Sequence, residues 1–586
     1  MTATAERPAE ADVDVTGPLP VDLALTPFSR RGSYYAVTVP PRAPVPGVYL
    51  RNVHGSVAHR EVLRFDLGGG VPDVEVAPGL LVLRAASAEV HVALSEAGRA
   101  HVRVMRGAIT LELQVLDKFD VVVPLDARTW RFVDAGANQN YLLRVLAGDA
   151  AMSTDWDGER TTRAELRLDA RSGPVTLVVD EHRTAAPTDV PADLDAVAQE
   201  AGRDYEAWLR QHTGTGAGDP VEDAARLAAY VTWSALVPAG GQLVAESMLM
   251  SKNWMTNIWS WDLCFNAMAL WRDPQAAASH LLGFFAHQDE SGGLPDYVND
   301  TVVERNFVKP PIHGWTVGWL LDRDALAPEA VAALYEPLAR WTRWWFEHRV
   351  HSGDGVPSYH HGNDCGWDNS TVFGEVVPVQ SPDLLAFLAI QQETLGRMAD
   401  RLGLPADAAV WREQASATVD RLLAHFWVGG RFIARETHSG APITVDSLLT
   451  LMPVVLGPQL PAEVFDACVE RLTTGGYLTE HGVATEPVGS APYEPDGYWR
   501  GPIWAPTMML LVDGLARGGR VELAQDLAAR FVATCAASGM AENFDAVTGA
   551  GLRDRSMTWT ASVYLLLTHA TPSAPVVAAA PGGARA

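Results

Sequence analysis

The feature that most constrains the fold of this chain is a series of twelve Ala- and Leu-rich amphipathic segments that begins after Pro220. Within these segments the apolar residues recur three and four positions apart, which predicts helices with one buried face. Six helical hairpins closed in a ring form an (α/α)6 barrel, a toroid in which inner and outer helices alternate. The predicted helices cover residues 221–236, 262–271, 275–288, 312–321, 328–349, 383–402, 406–426, 447–456, 462–472, 507–517, 523–538 and 559–569.

The chain before this series has a different pattern, because short β-branched segments separated by Gly, Pro and Asp run from about residue 28 to residue 179. This spacing predicts an antiparallel β-sandwich. Its predicted strands are 34–39, 62–67, 90–94, 108–115, 163–168 and 175–179. The predicted division of the chain is a disordered N-terminus at 1–25, a β-sandwich domain at 26–185, a helical linker at 186–219, a catalytic domain at 220–571 and a disordered tail at 572–586.

The acidic composition narrows the classes of partner. With 45 basic and 71 acidic residues the chain has a formal charge of −26, which disfavours binding to nucleic acid or to an anionic membrane. The first residues lack the basic start and apolar core of a secretory signal, so we expect a cytoplasmic protein. The four cysteines form no CxxC pair and no metal-binding motif is found. We expect no cofactor and no metal, and a small glycoside or oligosaccharide as the substrate.

The unusual motifs are placed so that they can meet. Successive loops of an α/α ring open at alternate ends, so loops of one parity share a face. The motifs all precede even-numbered helices of the series: Trp259-Ser260-Trp261-Asp262 the second, Lys309-Pro310-Pro311 the fourth, Gly366-Trp367-Asp368 the sixth, Tyr498 to Trp504 the tenth and Glu542 the twelfth. We therefore expect them to converge on a single mouth.

Two of these motifs carry a carboxylate among aromatic and amide side chains, roughly 175 residues apart. An apolar wall beside Asp368 would raise the pKa of its carboxyl group, which a general acid requires, although Asp368 is equally suited to capping a helix. Glu542 lies on a loop suited to holding and deprotonating a water, although an isolated Glu is more often a solvated surface residue. Asp364 and Glu375 are competitors for the role of Asp368. Such a pair of carboxyl groups indicates cleavage of a glycosidic bond.

The string from Tyr498 to Trp504 is the most specific of the motifs. Three large aromatic residues, an Arg and a Gly-Pro turn within seven residues are too apolar for an ordinary exposed linker. Tyr498, Trp499 and Trp504 are therefore candidates for stacking on a sugar, with core packing as the alternative for one of the tryptophans. Arg500 is a candidate for bonding sugar hydroxyls or for orienting a catalytic carboxylate.

Further candidates lie around the other motifs. Asp262, beside Trp261, is suited to accepting hydrogen bonds from two neighbouring sugar hydroxyls, or to capping its own helix. The remaining candidates for substrate binding lie in or beside polar loops and are individually as well suited to structural roles: Gln288, Lys309, His313, Trp315 and Trp367.

Together these motifs resemble glycoside hydrolase family 63 and its relatives, which include mannosylglycerate and glucosylglycerate hydrolases and the trehalases. The resemblance spans residues 245–567. It implies that Asp368 is the general acid and Glu542 the general base of an inverting exo-acting α-glycosidase on an α/α toroid, often preceded by a β-sandwich. It also implies that the cleaved sugar is surrounded by Trp261, Asp262, Tyr498, Trp499 and Trp504.

Two features depart from the members that act on glyceryl glycosides. Those members usually lack so large an N-terminal domain, and a Gln often occupies the place of Lys309. We therefore predict hydrolysis of the terminal α-glucosidic bond of a small oligosaccharide or glucoside, with carboxyl groups roughly 6.5–9.5 Å apart to admit a water. The alternatives are an α-mannosidase, a mannosylglycerate or glucosylglycerate hydrolase, an inverting disaccharide phosphorylase, a sugar epimerase, or a sugar-binding protein without catalysis.

Overall fold

A computed structural model describes residues 18–569 of the protein, except positions 42, 44, 57–59, 70, 71, 97 and 217–220. Two compact units divide this range. The first extends to Val53 and continues after position 56 as far as Ser234, and the second comprises His54–Ser56 and the chain from Ala235 onward. The predicted disordered tail lies outside the described residues, as do the first seventeen positions of the predicted disordered N-terminus.

The described part of the first unit contains fourteen strands. These are β1 (Tyr35–Thr38), β2 (Val48–Asn52), β3 (Glu61–Asp66), β4 (Asp73–Ala77), β5 (Leu80–Arg84), β6 (Glu89–Ser95), β7 (Arg99–Arg106), β8 (Ala108–Leu113), β9 (Val121–Pro124), β10 (Thr129–Asp134), β11 (Gln139–Ala147), β12 (Asp149–Trp156), β13 (Thr161–Asp169) and β14 (Val175–His182). All six predicted strands are among them.

The strands form two antiparallel sheets. One has the order β1-β2-β3-β8-β13-β12 and the other the order β4-β5-β6-β7-β14-β11-β10-β9. Burial alternates along β8, as expected for a strand with one face on a core. Tyr35 of the first sheet packs against Tyr141 of the second, with ring centroids 6.3 Å apart. The predicted antiparallel β-sandwich is confirmed.

Two helices belong to the first unit, α1 (Leu194–Thr213) and α2 (Asp223–Ser234). The predicted linker therefore contains a packed helix, since Leu194 and Val197 of α1 contact Ala93 of β6 in an apolar cluster. The α2 helix was assigned to the catalytic domain from the sequence. It instead groups with the first unit because Tyr230 packs edge-on against Tyr205 of α1 and accepts a hydrogen bond from the Ser29 N–H at 2.9 Å.

Residues 18–25 also differ from the prediction of disorder. Leu19 and Leu23 are buried, and the N–H of Leu19 donates to the Val76 carbonyl at 2.7 Å. Apolar side chains that find a core position order a terminal segment that its composition alone would leave free.

Besides two short 3₁₀ turns, Gly362–Cys365 and Thr371–Phe373, ten α-helices and one long 3₁₀ segment make up the described helical part of the second unit. They are α3 (Asp262–Ala269), α4 (Pro274–Phe285), α5 (His313–Leu321), α6 (Pro328–His348), α7 (Pro382–Arg401), α8 (Pro405–Phe426), the 3₁₀ segment Leu448–Gln459, α9 (Ala462–Thr474), α10 (Ala505–Arg517), α11 (Val521–Ser538) and α12 (Thr558–His569). Every predicted helix has its counterpart, but the segment predicted at 447–456 is 3₁₀ because Pro453 and Pro458 remove backbone donors.

The inner layer of the second unit is a closed ring. In this ring α3 packs against α5, α5 against α7, α7 against the 3₁₀ segment, that segment against α10, α10 against α12, and α12 against α3. The inner α5 and α10 are buried almost all round, whereas the outer α6 buries one face. This is the predicted α/α toroid. Among the described helices, none combines the length and apolarity that crossing a membrane requires.

Candidate active site

The loops that lead into the inner helices meet around a cavity of about 270 Å³, named here the central cavity. Its size is close to the lower end of the roughly 300–1,000 Å³ range of small-molecule sites, which suits a single sugar ring. The lining residues are Met250, Met255, Trp259, Trp261, Asp262, Lys309, Asn363, Gly366, Asp368, Tyr498, Trp499, Glu542, Met557 and Trp559. All five motifs contribute to this list, as the loop-parity argument predicted.

Asp368, the predicted general acid, lines the cavity three residues after a short 3₁₀ turn, Gly362–Cys365. The loop that carries it, residues 366–370, is named here the acid loop. Burial raises the pKa of the Asp368 carboxyl group, while the nearby Lys309 cation and the Tyr498 hydroxyl oppose the shift. The indole N–H of Trp499 faces the same carboxyl group but makes no hydrogen bond of ordinary geometry within the described residues. A donor is thus left for a ligand beside a carboxyl group that is biased towards holding its proton.

Gly366 allows the acid loop to approach the cavity wall. Its φ of +78° lies in the left-handed region, and a Cβ at this position would be 2.6 Å from the Trp261 ring. Only glycine satisfies both conditions without strain. The Gly of the Gly366-Trp367-Asp368 string therefore has a geometric role that its position in the sequence does not reveal.

Glu542 lies on the loop between α11 and α12 and is buried. Burial and the neighbouring Asp554 carboxylate raise its pKa to about 7, while Tyr498 and Arg553 act in the opposite direction. The N–H of Glu542 donates to the Asp554 carbonyl at 2.7 Å. Burial and the carboxyl groups of Glu542 and Asp368 raise the pKa of Tyr498, so its hydroxyl lies close to both carboxyl groups.

The string from Tyr498 to Trp504 is hydrogen-bonded to both the loop that carries Asp368 and the loop that carries Glu542. On the acid side, Asn369 accepts a hydrogen bond from the Trp499 N–H at 2.9 Å and donates to the Gly497 carbonyl at 3.0 Å. On the other side, Ile503 and Phe544 exchange two backbone hydrogen bonds of 2.8 and 2.9 Å. Tyr498, between the two atoms held by Asn369, has a φ of +63°, which is uncommon for a residue with a side chain. One short segment thus connects the loops that carry the two carboxyl groups.

The polar wall of the cavity is built around one buried cation. The Lys309 ammonium lies 2.8 Å from the Asp296 carboxylate and donates to the Asn363 carbonyl at 3.0 Å. Asp262 is buried nearby, and burial raises its pKa well above the usual value. Its Oδ2 atom has no hydrogen-bond partner among the described residues. A buried acceptor that lines a cavity without a protein partner is suited to a ligand hydroxyl.

Two predicted contact residues support the cavity wall without lining it. Trp504 stacks on Trp499 with ring centroids 3.9 Å apart and planes 4° apart, and Trp367 stacks on Trp499 at 4.8 Å. The Trp504 indole also donates to the Tyr498 carbonyl at 3.0 Å. Trp499 is therefore held between two other indoles, with its edge towards the cavity.

Four other predicted contact residues lie elsewhere. Gln288 donates to the carbonyls of Gly292 and Pro337, both at 2.9 Å, and so fixes a turn. His313 is a core residue between Phe285 and Trp341, and burial lowers its pKa to about 3. The Trp315 indole donates to Asp513 at 2.8 Å. Arg500 lies beside a second, neighbouring cavity and pairs with Glu494 at 2.8 Å. Their position in or beside polar loops predicts ligand contacts for Gln288, His313 and Trp315. The structure shows hydrogen bonds within the protein for Gln288 and Trp315 and core packing for His313.

The competitors for the acid role do not line the central cavity. Asp364 accepts hydrogen bonds from Arg349 at 2.7 Å and from the His360 N–H at 2.8 Å, which makes it a structural carboxylate. Glu375 is exposed beside the second cavity. Of the three carboxylates considered for the acid role, only Asp368 lines the central cavity.

Sequence reasoning missed several lining residues. Trp259 and Gly366 belong to motifs that were recognised, but no local pattern distinguishes Met250, Met255, Asn363, Met557 and Trp559. Asp554 was also missed. It lies twelve residues after Glu542, and its carboxylate accepts the N–H groups of Trp254 and Ser556 at 3.0 Å each.

One cluster in the described residues has the spacing of a cation site, Asp117, Asp120 and Asp134 of the first unit. Asp120 already accepts hydrogen bonds from the N–H groups of Leu116, Asp117 and Ala135. Its oxygens are therefore engaged in holding a loop together.

Comparison with known families identifies the family to which the chain belongs. The sequence profile of the mannosylglycerate hydrolase MGH1-like glycoside hydrolase domain matches residues 255–560, which include all five motifs. The chain belongs to the MGH1-like glycoside hydrolase family. The resemblance to glycoside hydrolase family 63 and its relatives is thereby confirmed, and this MGH1-like protein is a glycoside hydrolase by family.

Relatives of this MGH1-like protein include a mannosylglycerate hydrolase from Rubrobacter radiotolerans, 23% identical over 364 residues, which covers 50% of this chain and 80% of the relative. A mannosylglycerate hydrolase from Thermus thermophilus is 28% identical over 143 residues, which covers 24% of this chain and 34% of the relative.

Solved structures share the fold. A GH63 mannosylglycerate hydrolase from Thermus thermophilus, in complex with glucose, has a TM-score of 0.51 and 20% identity, and covers 58% of this chain and 98% of its own. A bacterial glucoamylase complexed with acarbose has a TM-score of 0.60 and 10% identity, and covers 95% of this chain and 96% of its own. The second comparison extends over both units of this MGH1-like protein, including the β-sandwich.

Proposed function

We propose that the protein is an inverting exo-acting α-glycosidase that hydrolyses the terminal α-glucosidic bond of a small oligosaccharide or glucoside. The observation that carries this proposal is the convergence of Asp368 and Glu542, both with raised pKa values, on one cavity of about 270 Å³ with Tyr498 coupled to both. Two carboxyl groups and one sugar-sized space are the requirements of glycoside hydrolysis.

In the proposed reaction Asp368 gives its proton to the glycosidic oxygen as the bond from this oxygen to the anomeric carbon breaks. A water attacks the anomeric carbon from the opposite face and gives its proton to Glu542, so the product sugar has the inverted configuration. Asp262 accepts hydrogen bonds from hydroxyls of the bound sugar through its free Oδ2 atom, and the edge of Trp499 adds a donor.

The choice of glucose over mannose has support from a relative with the same fold, a mannosylglycerate hydrolase whose crystal structure was obtained in complex with glucose. Mannosylglycerate hydrolysis is the second candidate, because the relatives compared above carry that activity in their names.

The proposal is tested by incubating the protein with α-glucosides and α-mannosides, including kojibiose, nigerose, trehalose, isomaltose, glucosylglycerate and mannosylglycerate. Nuclear magnetic resonance should detect the β-anomer first. Release of the α-anomer would contradict inversion, and a requirement for phosphate would indicate a phosphorylase.

Substitutions of Asp368 and Glu542 distinguish the proposed roles of the two carboxyl groups. Asp368→Asn and Glu542→Gln should each lower kcat/KM on a disaccharide at least 100-fold, in the range typical of general acid–base catalysis. With α-glucosyl fluoride, whose leaving group needs no proton, Asp368→Asn should lose much less activity than Glu542→Gln. The exposed Glu480 is the control, and Glu480→Gln should retain wild-type rates. Equal losses on both substrates would remove Asp368 from the acid role.

A further inference from the structure

A second cavity of about 800 Å³ opens among the loops that lead into α7, the 3₁₀ segment and α10. It is named here the leaving-group pocket and is roughly three times as large as the central cavity. Its walls come from residues 369–376, 442–446 and 490–500. These loops belong to the same face of the ring as the motifs of the central cavity.

The leaving-group pocket lies on the acid side of the site. Asn369 lines it and directly follows Asp368, while Arg500 lines it and directly follows Trp499. The hydrogen bonds of Asn369 to the Trp499 N–H and the Gly497 carbonyl join these two stretches into one wall. No residue of the loop that carries Glu542 is among its lining residues. In an inverting glycosidase the leaving group departs on the side of the acid.

The charges of the leaving-group pocket favour an uncharged occupant. Asp446 is paired with Arg471 and Arg431, and Arg500 is paired with Glu494. Glu375 is exposed and has no ion-pair partner within the described residues, so an unneutralised carboxylate faces the pocket. A ligand carboxylate at this position would be repelled.

The uncharged part of the lining combines hydroxyl groups with apolar side chains. Thr444 and Ser490 offer hydroxyls, whereas Val372 and Ile443 offer apolar surface. The Thr371 hydroxyl donates to Glu486 at 2.6 Å and is left to accept from a ligand. A sugar ring presents the same combination, with hydroxyls at its rim and C–H groups on its faces.

We propose that this pocket binds the leaving group of the substrate, and that the leaving group is an uncharged sugar or polyol and not a carboxylate such as glycerate. The inference rests on the proposed function, because a leaving group exists only if Asp368 and Glu542 cleave a glycoside. Its volume accommodates more than one sugar ring, so the substrate class extends to short oligosaccharides.

The first test fills the pocket. Ala491 lines it, and Ala491→Trp should lower kcat/KM at least tenfold on the best disaccharide while methyl α-glucoside, with its small leaving group, changes less than twofold. Val488 is exposed on the same loop but is not a lining residue, so Val488→Trp is the matched control and should change neither rate. Equal effects of Ala491→Trp on both substrates, or no effect on the disaccharide, would overturn the assignment.

The second test varies only charge. Glucosylglycerol and glucosylglycerate have nearly the same size, and the neutral compound should have at least a fivefold higher kcat/KM at low ionic strength. Glu375→Gln should narrow this ratio at least threefold by raising the rate on the glycerate, whereas Glu480→Gln should leave it unchanged. A preference for glucosylglycerate in the wild-type enzyme would refute the proposed leaving-group class.

Measurements of sugar binding distinguish a failure of the pocket assignment from a failure of the proposed function. Calorimetry with the Glu542→Gln protein should show tighter binding of a disaccharide than of glucose, and addition of Ala491→Trp should remove the difference. If Ala491→Trp removes the difference in binding but the wild type hydrolyses nothing, the proposed function is refuted, and with it the leaving-group role of a pocket that then only binds sugar. Hydrolysis that is insensitive to Ala491→Trp would leave the function standing and the pocket assignment refuted.

Discussion

The hydrogen bonds of Asn369 offer a direct test of how the acid loop positions Tyr498. The Asn369 side chain accepts from the Trp499 N–H at 2.9 Å and donates to the Gly497 carbonyl at 3.0 Å, and these two atoms flank Tyr498 in the chain. Tyr498 has a φ of +63°, a conformation that costs on the order of 1–3 kcal/mol unless its surroundings enforce it. Removal of the amide should let Tyr498 relax away from the two carboxyl groups.

The expected loss of kcat/KM in Asn369→Ala follows from the free energy of the two hydrogen bonds. Each contributes about 0.5–1.5 kcal/mol net, so Asn369→Ala forfeits about 1–3 kcal/mol. If this free energy holds Tyr498 in its catalytic position, kcat/KM falls about 5- to 150-fold, since about 1.4 kcal/mol corresponds to a factor of ten. Because Asn369 is exposed and the ring of helices is intact without its amide, the melting temperature should fall by only a few degrees.

The assay compares kcat, KM and thermal melting of Asn369→Ala with those of Asn306→Ala. Asn306 is also exposed, and its side chain makes no hydrogen bond in the described part of the chain. We expect the loss to fall mainly on kcat for Asn369→Ala and no loss for Asn306→Ala. A kcat/KM within twofold of the wild type for Asn369→Ala would show that Tyr498 needs no such support.

Three further predictions concern the base and the glycine of the acid loop. Glu542 must be ionised to accept a proton, so kcat/KM should rise with pH through about 7. Asp554→Asn should move this rise in kcat/KM to lower pH, and Arg553→Gln should move it to higher pH. Shifts of both variants in the same direction would refute the causes given for the raised pKa of Glu542. The pKa of Glu542 is about 7 in the folded protein against 4.5 for the free group, so the free energy of unfolding of the wild type falls as pH rises between these values. Denaturant unfolding should therefore show that Glu542→Gln is more stable than the wild type by up to about 3 kcal/mol at pH 8 and no more stable at pH 4.5. Gly366→Ala should lower both the melting temperature and kcat, because its Cβ would meet the Trp261 ring at 2.6 Å, and wild-type behaviour in both assays would contradict so close an approach of the acid loop to this ring.

The helical ring could be predicted because long helices with one buried face, such as α6, alternate with continuous apolar segments such as α5, but the sandwich could be predicted only in part. The six predicted strands are apolar on at least one face, whereas β12 is mostly exposed and polar, so its pairing with β13 leaves little trace in its sequence. Such strands are specified by their neighbours and not by their own pattern. The 3₁₀ segment was predicted as a helix because its apolar content outweighed its two prolines.

The site could be predicted to the extent that its chemistry is concentrated in short strings. Asp368 and Glu542 stand in such strings. Asp554, which raises the pKa of Glu542, lies outside them, and so does Met250, which lines the cavity from a position before α3. The predicted contact residues that do not line the central cavity share a feature of their sequence context. Gln288 and His313 stand beside polar loops, but polar side chains there satisfy backbone or core contacts as often as they meet a ligand.

The arrangement of hydrogen bonds explains why the aromatic string is more informative than either carboxylate. The string is held to the acid loop by Asn369 and to the base loop by the backbone pairing of Ile503 with Phe544. The proposed acid and base therefore come from distant parts of the chain, and on this proposal their separation depends on the conformation of a few residues between these two attachments. Glycoside hydrolysis with inversion requires that separation to be fixed within a narrow range. A stretch so rich in large aromatic side chains supplies the rigidity, because the stacked indoles of Trp499 and Trp504 cannot move independently.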